Sequence, residues 1–364
     1  MIKLAILTFH SAHNYGATLQ AYGLQEFLRS LGHEVCIIDY RPAYITKDYL
    51  RDSCKYWLSR NPKMCLKRLI NYVRYAGMRH ARWENFNKFI ENKLSLYPYL
   101  PGMDFHEFDA VFIGSDQVWS PYHTGGQYDE IFFGVGFKCK AISYAPSCSQ
   151  SSLTEEQKER LTVLLGNLTS ISVREHGFKR LLTPLTTQNI SVVVDPSLLA
   201  GKKAYDKIAA SIQRKKPYIV VYEIKPHKQV YDMACEIANQ LNAEVVELTN
   251  GVRNFHREGM VEAASPEEFL GYIKNASCVI TTSFHGTAFS LLFHTPFYVV
   301  RQGNDADLRM ESLLDFLNLR NRLIKMSDSP VFTAVDMDNA DVALQALRET
   351  SQNFIIENLS ELFS

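Results

Sequence analysis

The chain has 364 residues, enough for two domains of ordinary size. Apolar residues make up 46 % of it and charged residues 21 %, with 18 Gly and 13 Pro, which excludes disordered, collagen-like and low-complexity classes. Lys plus Arg and Asp plus Glu both number 39, so the net charge is zero and a whole-chain electrostatic grip on nucleic acid is disfavoured.

Lys3–Phe9 reads as a strand. Ala17–Leu31 reads as a helix, with Leu19, Tyr22, Leu24, Phe27, Leu28 and Leu31 near helical spacing and Gly32 as its stop. Glu34–Asp39 is the next strand. From Lys55 to Arg82 the charged residues are all basic: Lys55, Arg60, Lys63, Lys67, Arg68, Arg74, Arg79 and Arg82, interleaved with Trp57, Tyr72 and Tyr75 and followed by Trp83. This segment reads either as a solvated helical insertion within residues 50–95 or as a surface that meets an anionic membrane or a phosphorylated substrate. Ala110–Gly114 and Ala141–Tyr144 are short buried strands. Thr154 and Gln157 fit a capping box at a helix start. Ser170–Val173 and Val192–Val194 are further strands, with a helix over Glu175–Leu182.

A second series follows Asp195-Pro196. It comprises strand Tyr218–Ile224, helix His227–Leu241, strand Glu244–Leu248, helix Pro266–Lys274, strand Cys278–Thr282, helix Thr287–Phe293 and strand Phe297–Val300. Strands alternating with helices imply parallel sheets covered on both faces. Two such series predict an α/β chain of two Rossmann-like domains facing a cleft, over residues 1–195 and 196–364. The first domain is expected to hold the acceptor side and the second the donor side, with the last helix packing back on the first domain.

The cysteines are Cys36, Cys54, Cys65, Cys139, Cys148, Cys235 and Cys278. An odd count without a C-x-x-C pair argues against a disulfide framework or structural zinc, and it suits a reducing cytoplasm. The apolar run Leu4–Leu7 is too short for a secretory signal. The uncharged stretch between Lys274 and Arg301 is interrupted by Thr281-Thr282-Ser283, His285-Gly286, His294 and Pro296, so it reads as strand, loop, helix and strand rather than as a membrane span.

Several strand ends carry residues suited to chemistry. Thr282-Ser283-Phe284-His285-Gly286-Thr287 ends a buried strand and opens a helix, where unpaired N–H groups favour an anion. His285 is placed there to donate a hydrogen bond or a proton. Arg174, at another strand end, has a planar fork suited to carboxylate or phosphate, or to an ion pair with Glu175. Asp116, in Gly114-Ser115-Asp116-Gln117, is either a turn former or a group that meets a hydroxyl or a proton. No G-x-G-x-x-G is present, which disfavours NAD or FAD. No P-loop, G-x-S-x-G or H-E-x-x-H occurs either. Asp305-Ala306-Asp307 and Asp336-Met337-Asp338 share the D-x-D spacing of metal-dependent glycosyltransferases, but this pattern recurs by chance in loops.

Six segments in order make the chain resemble the polysaccharide pyruvyl transferase family: Asn14-Tyr15-Gly16-Ala17 with Leu19-Gln20-Ala21-Tyr22, Ile113-Gly114-Ser115-Asp116-Gln117-Val118-Trp119, Ser143-Tyr144-Ala145-Pro146-Ser147, Ser172-Val173-Arg174-Glu175, Val194-Asp195-Pro196 and Ser283-Phe284-His285-Gly286. Arg309-Met310-Glu311-Ser312-Leu313-Leu314 also fits. The resemblance implies a glycosyltransferase-B-like pair of Rossmann domains. It also implies transfer of a pyruvyl group from phosphoenolpyruvate, a co-substrate, to two hydroxyls of one sugar as a cyclic ketal, in capsular or other cell-surface polysaccharide biosynthesis. His285 is expected to be catalytic, with Asp116 as the other proton-transfer candidate. Donor binding falls to Arg174, Ser283, Gly286, Thr287 and Arg309, with the anionic groups near the N–H groups of Gly286, Thr287 and Ala288. Acceptor binding falls to Asn14, Tyr15, Gly16, Ser115 and Gln117. No metal and no resident cofactor are required by this scheme. The expected partners are phosphoenolpyruvate and a lipid-linked saccharide met at the cytoplasmic membrane face. The competing readings are a nucleotide-sugar glycosyltransferase and a non-enzymatic glycan-binding protein on the same fold.

Overall fold

The computed structural model describes residues 1–46, 70, 73–253, 255–304 and 307–362. The first half builds β1 (Lys3–Leu7), α1 (Tyr15–Ser30), β2 (Glu34–Ile38), α2 (Ala43–Thr46), α3 (Ala76–Lys93), β3 (Leu96–Tyr97), β4 (Ala110–Ile113) and β5 (Lys140–Ser143). These strands form a parallel sheet in the order β3-β2-β1-β4-β5. Leu4, Ala5, Ile6 and Leu7 are all fully buried, as a strand covered on both faces requires. After α4 (Glu155–Leu165), β6 (Ile171–Val173), α5 (His176–Leu182) and β7 (Ile190–Val192) continue the edge beyond β5, where Ser143 N–H donates to the Ser170 carbonyl.

Two short helices, α6 (Pro196–Leu199) and α7 (Gly201–Asp206), lead to the second sheet. Its elements are β8 (Tyr218–Glu223), α8 (Lys228–Leu241), β9 (Glu244–Thr249), β10 (Met260–Val261), α9 (Pro266–Lys274), β11 (Cys278–Thr281), α10 (Phe284–Phe293), β12 (Phe297–Val300), α11 (Asp307–Phe316) and β13 (Leu323–Ile324). The order is β10-β9-β8-β11-β12-β13, again parallel throughout. The two Rossmann-like sheets expected from the strand–helix alternation are both present. The final helix, α12 (Asp338–Ser360), returns to the first sheet, where Ser351 Oγ accepts from Val194 N–H at 2.9 Å.

Capping chemistry sets the helix starts. Thr154 with Gln157, and Ser265 with Glu268, form capping boxes. Asn14 Oδ1 accepts from Gly16 N–H at 2.9 Å and Ala17 N–H at 3.3 Å, so α1 begins two residues before the expected Ala17. Ser283 caps α10 in the same way, and that helix begins at Phe284 rather than Thr287. The strand expected at Val192–Val194 lies two residues earlier.

The halves meet through aromatic side chains. Tyr15 of α1 stacks on Phe269 of α9 with centroids 4.4 Å apart, and it also packs on Phe86 of α3 and Tyr222 of β8. Arg82 of α3 lies inside this junction. Its guanidinium donates to Tyr15 Oη (2.8 Å) and to the carbonyls of Glu262 (3.0 Å), His13 (3.1 Å) and Thr249 (3.2 Å). This corrects its assignment to a basic surface, because a buried cation with four acceptors is a strut. Of the remaining basic run, Lys55, Arg60, Lys63, Lys67 and Arg68 lie outside the described residues, as do Trp57 and Tyr72. Among the described residues no helix is long and apolar enough to cross a membrane.

Candidate functional site

The carboxyl ends of the first sheet and the start of α10 converge on Asp195. This residue caps α6, with Oδ1 accepting from Ser197 N–H (2.9 Å) and Ser197 Oγ (2.6 Å). Its Oδ2 accepts from Arg174 Nη1 at 2.6 Å and Ser115 Oγ at 3.2 Å, and it faces His285 Nε2 at 3.7 Å. Burial pushes the Asp195 carboxyl up. The His285 ring, Arg174 and Ser197 outweigh it and hold the group well below the usual carboxylate range.

Arg174 follows β6 and is buried. Its Nε donates to Glu175 Oε1 at 2.9 Å, and Ser147 Oγ donates to the same oxygen at 2.7 Å. The guanidinium lies 4.5 Å over the Phe284 ring. Burial disfavours its charge, but Glu175, Asp195 and Asp116 prevail and hold it firmly protonated. Two of its three nitrogens are therefore spent on carboxylates, which corrects the picture of a whole fork free for a ligand. Nη2 stays buried without an acceptor.

Arg309, on α11, is the second cation here. Among the described residues it makes no ion pair, and its Nε is buried without a partner. Burial lowers its pKa first and Arg174 lowers it further, against the pull of Glu175, Asp116 and Asp195. A cavity of about 60 Å³ opens beside these groups, walled by Arg174, Glu175, Asp195, Phe284 and Arg309 among others. His285 is not in its wall and meets it through Asp195. A cavity of about 630 Å³ lies elsewhere, between the end of α10 and α12, and touches none of the expected site residues.

His285 sits at the second position of α10, with Gly16 of α1 against it. A Cβ on Gly16 would lie 2.0 Å from His285 Nδ1. The amides assigned to the donor are placed differently from expectation. Ser283 Oγ takes Gly286 N–H at 3.4 Å, and the Ser283 carbonyl takes Thr287 N–H at 3.0 Å. The N–H groups of Phe284 and His285, first in the helix, have no partner within it. Gly286 packs inward, where a Cβ would meet Thr281 Oγ1 at 2.4 Å, and Thr287 is fully buried. Both support the helix start rather than reach a ligand.

Asp116 has φ 64° and is half-buried; its charge acts on Arg174, Arg309 and His123. Burial and then Arg309 lower the His123 pKa, while Asp116 raises it. Of the acceptor set, Ser115 is buried as a partner of Asp195. Asn14 bridges to Asn250 at 3.2 Å, and Gln117 accepts from Ser149 at 3.0 Å. Tyr15 is completely buried, with its hydroxyl donating to the Ala264 carbonyl at 3.1 Å. It belongs to the junction core and not to an acceptor surface.

Asp195, Glu175 and His123 were absent from the expected site. The Asp195-Pro196-Ser197 helix start was a readable signal for a cap. Its other partners, Arg174 and Ser115, lie 21 and 80 residues away in sequence, beyond any local pattern. In the acidic doublets, Asp305 lies outside the described residues. Asp307 accepts from Gln302 and Gly303 N–H at 3.0 and 2.7 Å, the role of a loop-closing cap.

No protein with a curated description matches this chain. The sequence model of a family described as Polysaccharide pyruvyl transferase matches residues 14–304. Among solved structures, Arabidopsis thaliana UGT89C1 is similar at 12 % identity and TM-score 0.49, over 99 % of each chain. A UDP-N-acetylglucosamine 2-epimerase from Rickettsia bellii is similar at 11 % identity and TM-score 0.48, over 100 % of this chain and 97 % of that one. At these values neither likeness assigns an activity.

Proposed function

Because the chain belongs to the polysaccharide pyruvyl transferase family, we propose that it transfers the pyruvyl group of phosphoenolpyruvate to two hydroxyls of one sugar, forming a cyclic ketal. One observation carries this reading: two buried guanidinium nitrogens, Arg174 Nη2 and Arg309 Nε, stand near each other without acceptors, and among the described residues Arg309 makes no ion pair. Buried donors without acceptors are costly, so such a place suits a small anion. Phosphoenolpyruvate brings a carboxylate and a phosphate, and the free N–H groups at the start of α10 add a further anion contact.

In this scheme Arg309 and Arg174 Nη2 hold the donor's anionic groups. His285 delivers a proton to the methylene carbon as the first sugar hydroxyl bonds to the adjacent carbon, and that hydroxyl's proton then recharges the ring. Phosphate then leaves that carbon, its charge met by the guanidiniums, and the second hydroxyl adds in its place, giving its proton to the departing phosphate. Asp116, beside Arg309 and His123, is the alternative proton-transfer group. Asn14, Gly16 and Gln117 form the acceptor side.

The acceptor in this reading is a saccharide on a membrane lipid phosphate, met at the cytoplasmic face. The basic run supports it, since each Lys or Arg near an anionic surface adds about 1 kcal/mol. Liposome co-sedimentation tests that part. Recovery that is equal with neutral and anionic vesicles, and indifferent to neutralising Lys55 through Arg79, removes the membrane from the reading.

The transfer is tested by incubating the protein with isotope-labelled phosphoenolpyruvate and a panel of saccharide acceptors, then reading ketal product by mass and phosphate release. His285→Gln is expected to lower turnover on the order of 10²–10⁴-fold, the range for a lost general acid–base group. Near-normal turnover in that variant makes His285 a positioning residue and moves proton transfer to Asp116.

A further inference from the structure

The two ring nitrogens of His285 meet different surroundings. Nε2 is buried, makes no hydrogen bond and looks at Asp195 Oδ2 from 3.7 Å. Nδ1 packs against Gly16, in the space that a side chain there would take. The carboxylate it faces is fixed in place. Ser197 holds one oxygen with two bonds, and Arg174 and Ser115 hold the other. It cannot turn away from the ring without breaking these contacts, and it is kept anionic by them.

A lone pair on Nε2 would point at that anion, which is repulsive, whereas an N–H pointing there is attracted. We propose that Asp195 is a positioning residue for His285: it selects the tautomer with the proton on Nε2 and so makes Nδ1, beside Gly16, the nitrogen that exchanges a proton with the ligand. The inference rests on the reading of His285 as the acid of pyruvyl transfer. The proton on Nδ1 of the doubly protonated ring goes to the donor's methylene carbon. The ring returns to the neutral form with Nε2–H still facing Asp195. At 3.7 Å the contact is electrostatic, and Oδ2 is shared with two other donors; catalytic hydrogen bonds of this kind commonly close up only when substrate is bound.

The arrangement also accounts for Gly16. The backbone there is helical and asks for no positive φ, so alanine would be the better helix former. Glycine is required by the approach of Nδ1.

The test is nitrogen NMR of the ¹⁵N-histidine-labelled full chain at a pH where the ring is neutral, with the His285 signals identified by their loss in His285→Gln. The expected result is a protonated Nε2 and an unprotonated Nδ1. A protonated Nδ1 overturns the proposal. This measurement needs neither ligand nor turnover, so it stands apart from whether pyruvyl transfer itself is observed. In the folded Asp195→Asn protein the Nε2–H preference is expected to be lost. Its turnover in the ketal assay should fall by on the order of 10²–10⁴-fold with the KM for phosphoenolpyruvate far less affected. An Asp195→Asn protein that keeps both the Nε2–H signal and its turnover also overturns the proposal. If that variant does not fold, Ser115→Ala, which removes a donor but keeps the carboxylate, is expected to retain the Nε2–H form; a switch to Nδ1–H there counts against the role.

Discussion

Arg309 is a cation placed for something other than folding. Among the described residues it has no carboxylate partner, and burial together with Arg174 works against its charge. Arg309→Met is therefore expected to keep or raise the melting temperature while weakening phosphoenolpyruvate binding by about 1.5–3 kcal/mol, the range for hydrogen bonds to charged groups. Calorimetric titration and a thermal melt on one preparation check both halves. Arg174 behaves oppositely, because it is tied to Glu175 and Asp195. Arg174→Lys keeps the charge but cannot meet both carboxylates and the free position at once. It should lose both stability and donor affinity, and unchanged stability would contradict the geometry. Gly16→Ala is expected to lower both turnover and stability, since the added carbon would lie 2.0 Å from His285 Nδ1 and the buried ring would have to shift.

At this scale the sequence was informative about chemical type and poor about partners. His285, Arg174 and Ser115 do converge, and each sits at a strand or helix end that local pattern marks. Tyr15 failed as an acceptor residue because the motif that carries it also supplies the junction core. Nothing in four consecutive residues tells which side chain turns inward.

Helix starts show a second kind of legibility. The capping boxes at Thr154 and Ser265 were readable because both partners lie within one turn. The starts at Tyr15 and Phe284 came earlier than apolar spacing indicated, since Asn14 and Ser283 act as caps before the periodic residues begin. The two-residue strands β3, β10 and β13 carry too little pattern to be seen. The loop from β1 to α1 also holds His13, whose pKa is lowered to about 4 by burial first and then by Arg82. Its imidazole is thus favoured neutral in the folded chain. Between pH about 6.5 and 4 the unfolded chain binds the extra proton, so stability is full above that window and falls as pH drops through it. The loss is on the order of 3 kcal/mol. Chemical denaturation from pH 7 to 4 should show it, and His13→Gln should flatten that limb even if its stability at pH 7 is lower. An equally steep limb in the variant would assign the acid sensitivity to other groups.

Across the whole molecule, the residues that position the site are also those that join the halves. Gly16 and Asp195 come from the first half and its border, His285 and Arg309 from the second. Arg82 fastens the two by bonding at once to His13, Tyr15, Thr249 and Glu262. Arg82→Met leaves four buried acceptors without their donor. It is expected to cost at least about 1–3 kcal/mol, the penalty for a buried acceptor left unsatisfied, and to loosen the junction. Hydrogen exchange should then rise in α1 and α9 together rather than in α3 alone.

The identity of the donor separates pyruvyl transfer from nucleotide-sugar chemistry on this fold. A thermal-shift comparison of phosphoenolpyruvate with nucleotide sugars on the full chain settles it, because a ligand that binds only the native state must stabilise it, by about 2.7 kcal/mol at a hundred times its Kd. Phosphoenolpyruvate is expected to raise the melting temperature of the wild-type protein, the rise to be lost in Arg309→Met, and nucleotide sugars to have no effect. A rise with a nucleotide sugar and none with phosphoenolpyruvate would overturn the assignment of pyruvyl transfer.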